Sequence, residues 1–490
     1  MKDLVSGTAN EFYWRLAIQI LWEQGVMKGA DFLSISFSNS MRIFCLAFIV
    51  GLFSGCSVIQ QPDLERIYRP VAQKPKINPV ILIPGIMGSR LTDFVTGENI
   101  WPGSLTDLAF GSQLDKLALP IQGESFVENK DNLKPDGLFL SVAGQSFYRD
   151  MVTTLEQMGG YHCVSPEKIN ATSDCVLFAW DWRRDIVEAA AQLDELVEQL
   201  RFKRHDAKLK VDIVAHSAGG LVTRYFLRYG KRDVLAAENP IINHLGGEKV
   251  RKAILIGTPN YGSVSALQQS IMGSPIGLSS IKPEVLLTMP IQAELLPHPD
   301  RNWMIDLWGK RSDQKLFDMN TWRERKWSIF DPDVRTRIKG NFSSKQNAEA
   351  YMAELEKHME KSLNRGAHFH RALSEKAQDG PHKMIVFGGD CHLTPARCLI
   401  EKVGAEYQVH LDPSDIKNPI EGIDYDSLMF EPGDGSVTKA SLLARDSLDP
   451  TEGMQGDFRI DYEFFICEEH THLAENITFR DNLLNILLNK

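Results

Sequence analysis

The chain has no excess of positive charge. Its 54 lysines and arginines are outnumbered by 64 acids, for a formal net charge of −10 over 490 residues. No basic stripe runs along any segment, which argues against nucleic acid as a partner. There is no G-x-x-x-x-G-K-[ST] loop and no G-x-G-x-x-G turn after a strand, so nucleotide binding has no support either. No internal repeat is visible. The apolar run from Ile43 to Phe53 falls well short of the roughly twenty residues that span a bilayer. Glu468, His470 and His472 lie close together, but no further ligands at recognisable spacing join them, so neither a metal nor an organic cofactor is expected.

Cysteine is sparse, seven in all, and its placement is informative. The stretch MRIFCLAFIVGLFSGC starts at Met41, carries Arg42 as a minimal charged region and ends in small residues and Cys56. That length fits the core of a secretory signal, and the F-S-G-C ending resembles a bacterial lipoprotein signal, with Cys56 as the lipidated residue. Residues 41–55 are read as the signal, 1–40 as an upstream extension with translation starting at Met41, and the proline-bearing stretch 56–78 as a tether. The expected place is the bacterial cell envelope, exported and held to the membrane through the N-terminal lipid anchor. In an oxidising compartment the loops bracketed by Cys163 and Cys175, and by Cys391 and Cys398, suit disulfides, which leaves Cys467 as a free thiol.

Short apolar runs recur at 80–83, 176–180, 211–214, 253–256, 384–387 and 462–467, separated by helical or irregular stretches. Continuous buried strands alternating with helices predict an α/β fold, a mostly parallel sheet covered on both faces, over 79–490. The interval from about 262 to 382 is too long for a simple crossover. It reads as a mainly helical cap, rich in tryptophan and methionine, inserted between two core strands.

Within VDIVAHSAGGLVTRYFLRYG (211–230), a strand pattern gives way to a helical one at Ser217. Small residues two before and two after the serine suit a strained strand-turn-helix corner, the nucleophile elbow of α/β-hydrolases, with Ala215 where glycine is usual. PGIMGSRL (84–91) follows the first strand, and the backbone N–H groups of Ile86 and Ala218 are the candidate oxyanion donors. Asp434, in the tight G-D-G turn, is the candidate acid. His470 and His472, beyond the last strand, compete as the base. The order Ser217, Asp434, His470 is the one that fold requires.

PVILIPGIMGSRL, FAWDWRRD, AHSAGGLVTRY, ILIGTPNYGS and GDGSVTKASL together resemble the lecithin–cholesterol acyltransferase and phospholipid–diacylglycerol acyltransferase family, in a bacterial version. The departures are Ala215 for glycine and Ser436 for the commoner threonine. The closing HTHLAENITFRDNLL is similar to the family's H-x-x-L-x-x-N ending, which selects His470. The resemblance implies an α/β-hydrolase fold, a serine acyl-enzyme and a lipid ester as acyl donor. It also implies that Trp180–Arg183 form a structural element near the acyl site. The motifs do not separate hydrolysis from transfer. A catalytically silent lipoprotein of the same fold, used for binding or scaffolding, is the alternative, and its signature would be a broken triad.

Overall fold

The computed structural model describes residues 61–489, apart from 123–125, 127, 129–130, 143–144, 239, 313–314, 377, 405, 447 and 449–455. The upstream extension, the signal and Cys56 lie outside the described residues. Seven strands form the central sheet: β1 (Val80–Ile83), β2 (Cys163–Val164), β3 (Cys175–Leu177), β4 (Val211–His216), β5 (Val250–Ile256), β6 (Lys383–Gly389) and β7 (Tyr462–Ile466). Their lateral order is β7-β6-β5-β4-β1-β3-β2, and every neighbouring pair is parallel. The principal helices are α1 (Leu64–Ala72), α2 (Ile186–Arg204), α3 (Ala218–Tyr229), α4 (Lys345–Ser374) and α5 (Ile477–Leu488).

The apolar runs are continuous because both faces of the sheet are covered. In β1 all four side chains are buried. Ile81 and Ile83 join a core with Leu193 and Val197 of α2 and Leu221 and Phe226 of α3. Val80 and Leu82 face the other way, into a core with Phe479, Leu483 and Leu487 of α5. Each such side chain contributes about 1.5–3 kcal/mol by leaving water, so this short strand is a large part of what fixes the middle of the sheet. Asp185 starts α2 by accepting from the Val187 N–H at 2.7 Å.

Three long excursions leave the carboxyl edge of the sheet: residues 84–162 after β1, 257–382 after β5 and 390–461 after β6. The second returns to a strand adjacent to the one it left, so its length costs the sheet little. It has its own apolar core, in which Trp303, Trp322 and Trp327 are buried with Met304, Met319, Met352 and Met359, while Trp308 is exposed. Among the described residues, no helix is long and apolar enough to cross a membrane.

Two expectations need correction. Part of the stretch expected as a tether is the helix α1, capped by Asp63, with Leu64 and Tyr68 buried against Leu484 of α5. The Tyr68 hydroxyl donates to the Asp481 side chain at 2.7 Å. Leucine and tyrosine four apart make one apolar helix face, and docking that face outweighs the breaking tendency of Pro70 near the helix end. The second correction concerns the disulfides. Cys163 pairs with Cys175, which face each other across β2 and β3, but Cys391 pairs with Cys467, not with Cys398. Cys391 and Cys467 sit just beyond the ends of the neighbouring strands β6 and β7, with Cα atoms 5.1 Å apart. Cys398 is a buried free thiol in the cap core. Closeness in sequence suggested the wrong pair, because strand adjacency decides which cysteines meet.

Candidate active site

The order of strands reverses between β1 and β4: from β1 the chain moves outward to β2 and β3, then returns to β1's other side. Ligands of open α/β sheets bind at the carboxyl ends of strands at such a switch point. Ser217 stands there, between β4 and α3, with φ 53° and ψ −127°. This left-handed conformation is costly for a residue with a Cβ, typically by about 1–3 kcal/mol. It is held by the Ser217 N–H donating to the Ile256 carbonyl at 2.7 Å and by tight packing of the helix start. A Cβ on Gly219 would lie 2.6 Å from the Pro84 carbonyl oxygen and 2.8 Å from that of Ile83, so the elbow can form only with glycine there.

The excursion after β6 brings the acid, and the segment after β7 brings the base. His470 Nε2 lies 3.0 Å from Ser217 Oγ, and His470 Nδ1 lies 2.8 Å from Asp434 Oδ2. The His470 N–H also donates to the Asp434 carbonyl at 2.9 Å. The other carboxylate oxygen of Asp434 accepts from the N–H groups of Val437 at 2.7 Å and Ser436 at 3.0 Å. A carboxylate only accepts, so Nδ1 carries the proton and Nε2 faces the serine hydroxyl as acceptor. Gly257 is positioned with φ 56°, where a Cβ would come within 3.0 Å of the His470 ring. His472, the competing histidine, turns instead to Glu469 at 3.6 Å.

Electrostatics favour these protonation states. Burial raises the Asp434 pKa, but the charge and hydrogen bond of His470, with the two backbone donors, outweigh it and hold the carboxyl below its ordinary value. Burial lowers the His470 pKa, yet the charge and hydrogen bond of Asp434 more than offset this and leave it raised. The result is an ionised acid beside an imidazole made more basic than usual.

The loop 84–89 runs beside the serine. The N–H groups of Ile86 and Ala218 have no acceptor among the described residues, and Met87 is held at φ 60°. Sequence reasoning missed how this loop is fixed. The Trp180 indole donates to the Pro84 carbonyl at 2.9 Å, the Trp101 indole to Met87 at 2.8 Å and the Trp182 indole to Ser89 at 3.0 Å. Arg183, fully buried, pairs with Asp131 and Asp181 at 2.5 and 2.7 Å and anchors this tryptophan block. Nothing in the sequence tied Trp101 to the site. The family resemblance pointed to Trp180–Arg183 without saying what they hold.

Residues 138–372 match the model of the lecithin:cholesterol acyltransferase family. Over that span, just under half of its length, the chain is similar to the lecithin:cholesterol acyltransferase family. The structure of the Tle4–Tli4 complex is similar, at 13% identity over 84% of this chain and 98% of that one, with a TM-score of 0.53. EstA from Clostridium botulinum aligns at 11% identity over 91% of this chain and 98% of that one, with a TM-score of 0.33. Such low identities speak only to the fold, which is that of the α/β-hydrolases. No curated protein matches the chain significantly. The family match supports a role on lipid esters, as hydrolase or acyltransferase.

Proposed function

We propose that the chain transfers acyl groups from a lipid ester through a covalent intermediate on Ser217. The observation that carries this reading is the unbroken hydrogen-bonded series Ser217–His470–Asp434 at the carboxyl edge of the sheet. His470 Nε2 takes the hydroxyl proton as Ser217 Oγ attacks the ester carbonyl, and Asp434 stabilises the imidazolium that forms. The Ile86 and Ala218 N–H groups receive the oxyanion. Collapse of the tetrahedral adduct breaks the ester C–O bond, and His470 returns the proton to the leaving alcohol. Water or a second alcohol then attacks the acyl-enzyme by the same route in reverse. The two disulfides support an oxidising compartment, in keeping with export and a lipid anchor at Cys56.

The test offers the purified protein a phospholipid labelled in its acyl chain, with and without a sterol or diacylglycerol, and resolves the products by chromatography. Free fatty acid alone marks a phospholipase, and a new ester marks an acyltransferase. Absence of both, together with no labelling of Ser217 by a fluorophosphonate, overturns the reading in favour of a silent binding protein.

The raised His470 pKa sets the expected pH dependence. Only the neutral ring can accept the serine proton, so kcat/KM should decline as pH falls through the raised value. The midpoint of that acid limb should lie above the ordinary imidazole value of about 6.5. A pH profile of initial rates checks this, and a midpoint below the ordinary value contradicts it.

A further inference from the structure

Behind the reacting groups runs a second chain of hydrogen bonds that the acyl-enzyme scheme does not use. The Gly85 N–H donates to Tyr148 Oη at 2.8 Å, Tyr148 Oη lies 2.8 Å from His216 Nδ1, and His216 Nε2 lies 3.2 Å from the carbonyl oxygen of His470. The two ends of this chain fix its protons. A carbonyl only accepts, so His216 Nε2 must carry a hydrogen. A backbone N–H only donates, so Tyr148 Oη accepts from Gly85. Burial, with the nearby His470, pushes the His216 pKa down to about 3, so the ring is neutral and Nδ1 has a lone pair. The tyrosine proton therefore points to Nδ1, and every donor in the chain meets an acceptor.

The placement of the ends matters more than the bonds themselves. One end is the loop after β1, which carries Ile86. The other is the backbone of His470, in the loop after β7. The middle, His216, is the residue before the nucleophile, with its ring 4.9 Å from that of His470. With the Gly85 N–H engaged by Tyr148, the next N–H along the loop, that of Ile86, is left open. With its own N–H on Asp434 and its carbonyl on His216, His470 is held on both sides of its Cα. A buried phenol and imidazole must each offset the loss of water, and an apolar pair of similar size could fill the same space without that cost.

We propose that Tyr148 and His216 are positioning residues, which lock the oxyanion loop and the His470 loop to the nucleophile elbow as one unit. This rests on the Ser217 acyl-enzyme reading. The three loops lie far apart in sequence and follow different strands of the sheet, so cross-links beyond the strand ends bear on their relative placement. A shift of about 1 Å in a reacting group can cost a hundredfold in rate.

The test compares the intact protein with Tyr148→Phe, His216→Gln, His216→Leu and the Tyr148→Phe/His216→Leu double variant, with Ser217→Ala as reference. Tyr148→Phe and His216→Leu should each lower kcat about 10- to 100-fold, with KM nearly unchanged. The double variant should lose little more than the worse single one, because both break the same chain. His216→Gln keeps a planar donor and acceptor, and should retain more activity than His216→Leu. In the unaltered protein labelled with 15N-histidine, His216 should show the neutral Nε2–H tautomer throughout the range in which His470 titrates. Full kcat in Tyr148→Phe, multiplying losses in the double variant, or a protonated or Nδ1–H His216 each overturn the proposal. Activity surviving in Ser217→Ala would instead overturn the nucleophile reading, while the His216 spectrum still reports on the chain and does not depend on any variant folding.

Discussion

Ser217→Ala is expected to lower kcat about a million-fold, which is ~8 kcal/mol of barrier at 1.36 kcal/mol per decade. The change removes one oxygen and leaves the surroundings as they were. Alanine keeps the Cβ, so it sits in the same strained φ of 53° and neither relieves nor adds backbone strain. The oxygen's hydrogen-bond partner is His470, which still has Asp434 after the change. Melting temperature should therefore stay close to that of the parent, and substrate binding should survive. What vanishes is the acyl-enzyme, so the remaining rate is that of water attacking a bound ester without a nucleophile. Single-turnover release of a labelled acyl chain measures this. A variant within about tenfold of the parent would mean that the hydroxyl at the elbow is not the attacking group, and would return the chemistry to an unassigned residue.

The sheet was readable because parallel strands covered on both faces must be apolar throughout. The runs at 80–83, 211–214, 253–256 and 384–387 lie inside β1, β4, β5 and β6, with ends differing by up to three residues. β2 escaped notice because two residues at a sheet edge leave no pattern to read. The serine corner was readable too. Bulk is excluded around it for a steric reason that acts within a few residues, and steric exclusion leaves a mark on composition. The structure sets that serine beside His470 and Asp434, and turns His472 elsewhere. The supports of the site were not readable. Tyr148 is 63 residues from Gly85 and 68 from His216, in a stretch with no periodicity that distinguishes it from any other aromatic. His216 lies inside the motif, yet nothing in A-H-S-A-G says that its ring links two other loops. The Cys391–Cys467 bond failed for the same reason: which strands are neighbours is a property of the sheet, and sequence spacing does not carry it. Local sterics and burial were legible, whereas pairings between distant loops were not.

Asp434→Asn should lower kcat by about ten-thousand-fold with little loss of fold. The size follows from where the two side-chain oxygens of Asp434 point. One accepts from two backbone N–H groups, those of Ser436 and Val437, and an amide nitrogen could not replace it without setting donor against donor. Asparagine must therefore keep its oxygen on that side and turn its NH2 group towards His470 Nδ1. That nitrogen then has to accept instead of donate, so the ring carries its proton on Nε2, facing Ser217. The base becomes a donor to the very hydroxyl it should deprotonate. The imidazolium also loses the negative charge that raised its pKa. Alanine at the same position gives a separate result, because it removes the acceptor for both backbone N–H groups and leaves them unpaired in a site where Asp434 is only 2% exposed. Unpaired buried donors cost about 1–3 kcal/mol, so Asp434→Ala should lose stability as well as rate, while Asp434→Asn should lose rate alone. Thermal melts read beside kcat separate the two. Equal rates for Asp434→Asn and the parent would show that His470 does not depend on this carboxylate for its tautomer.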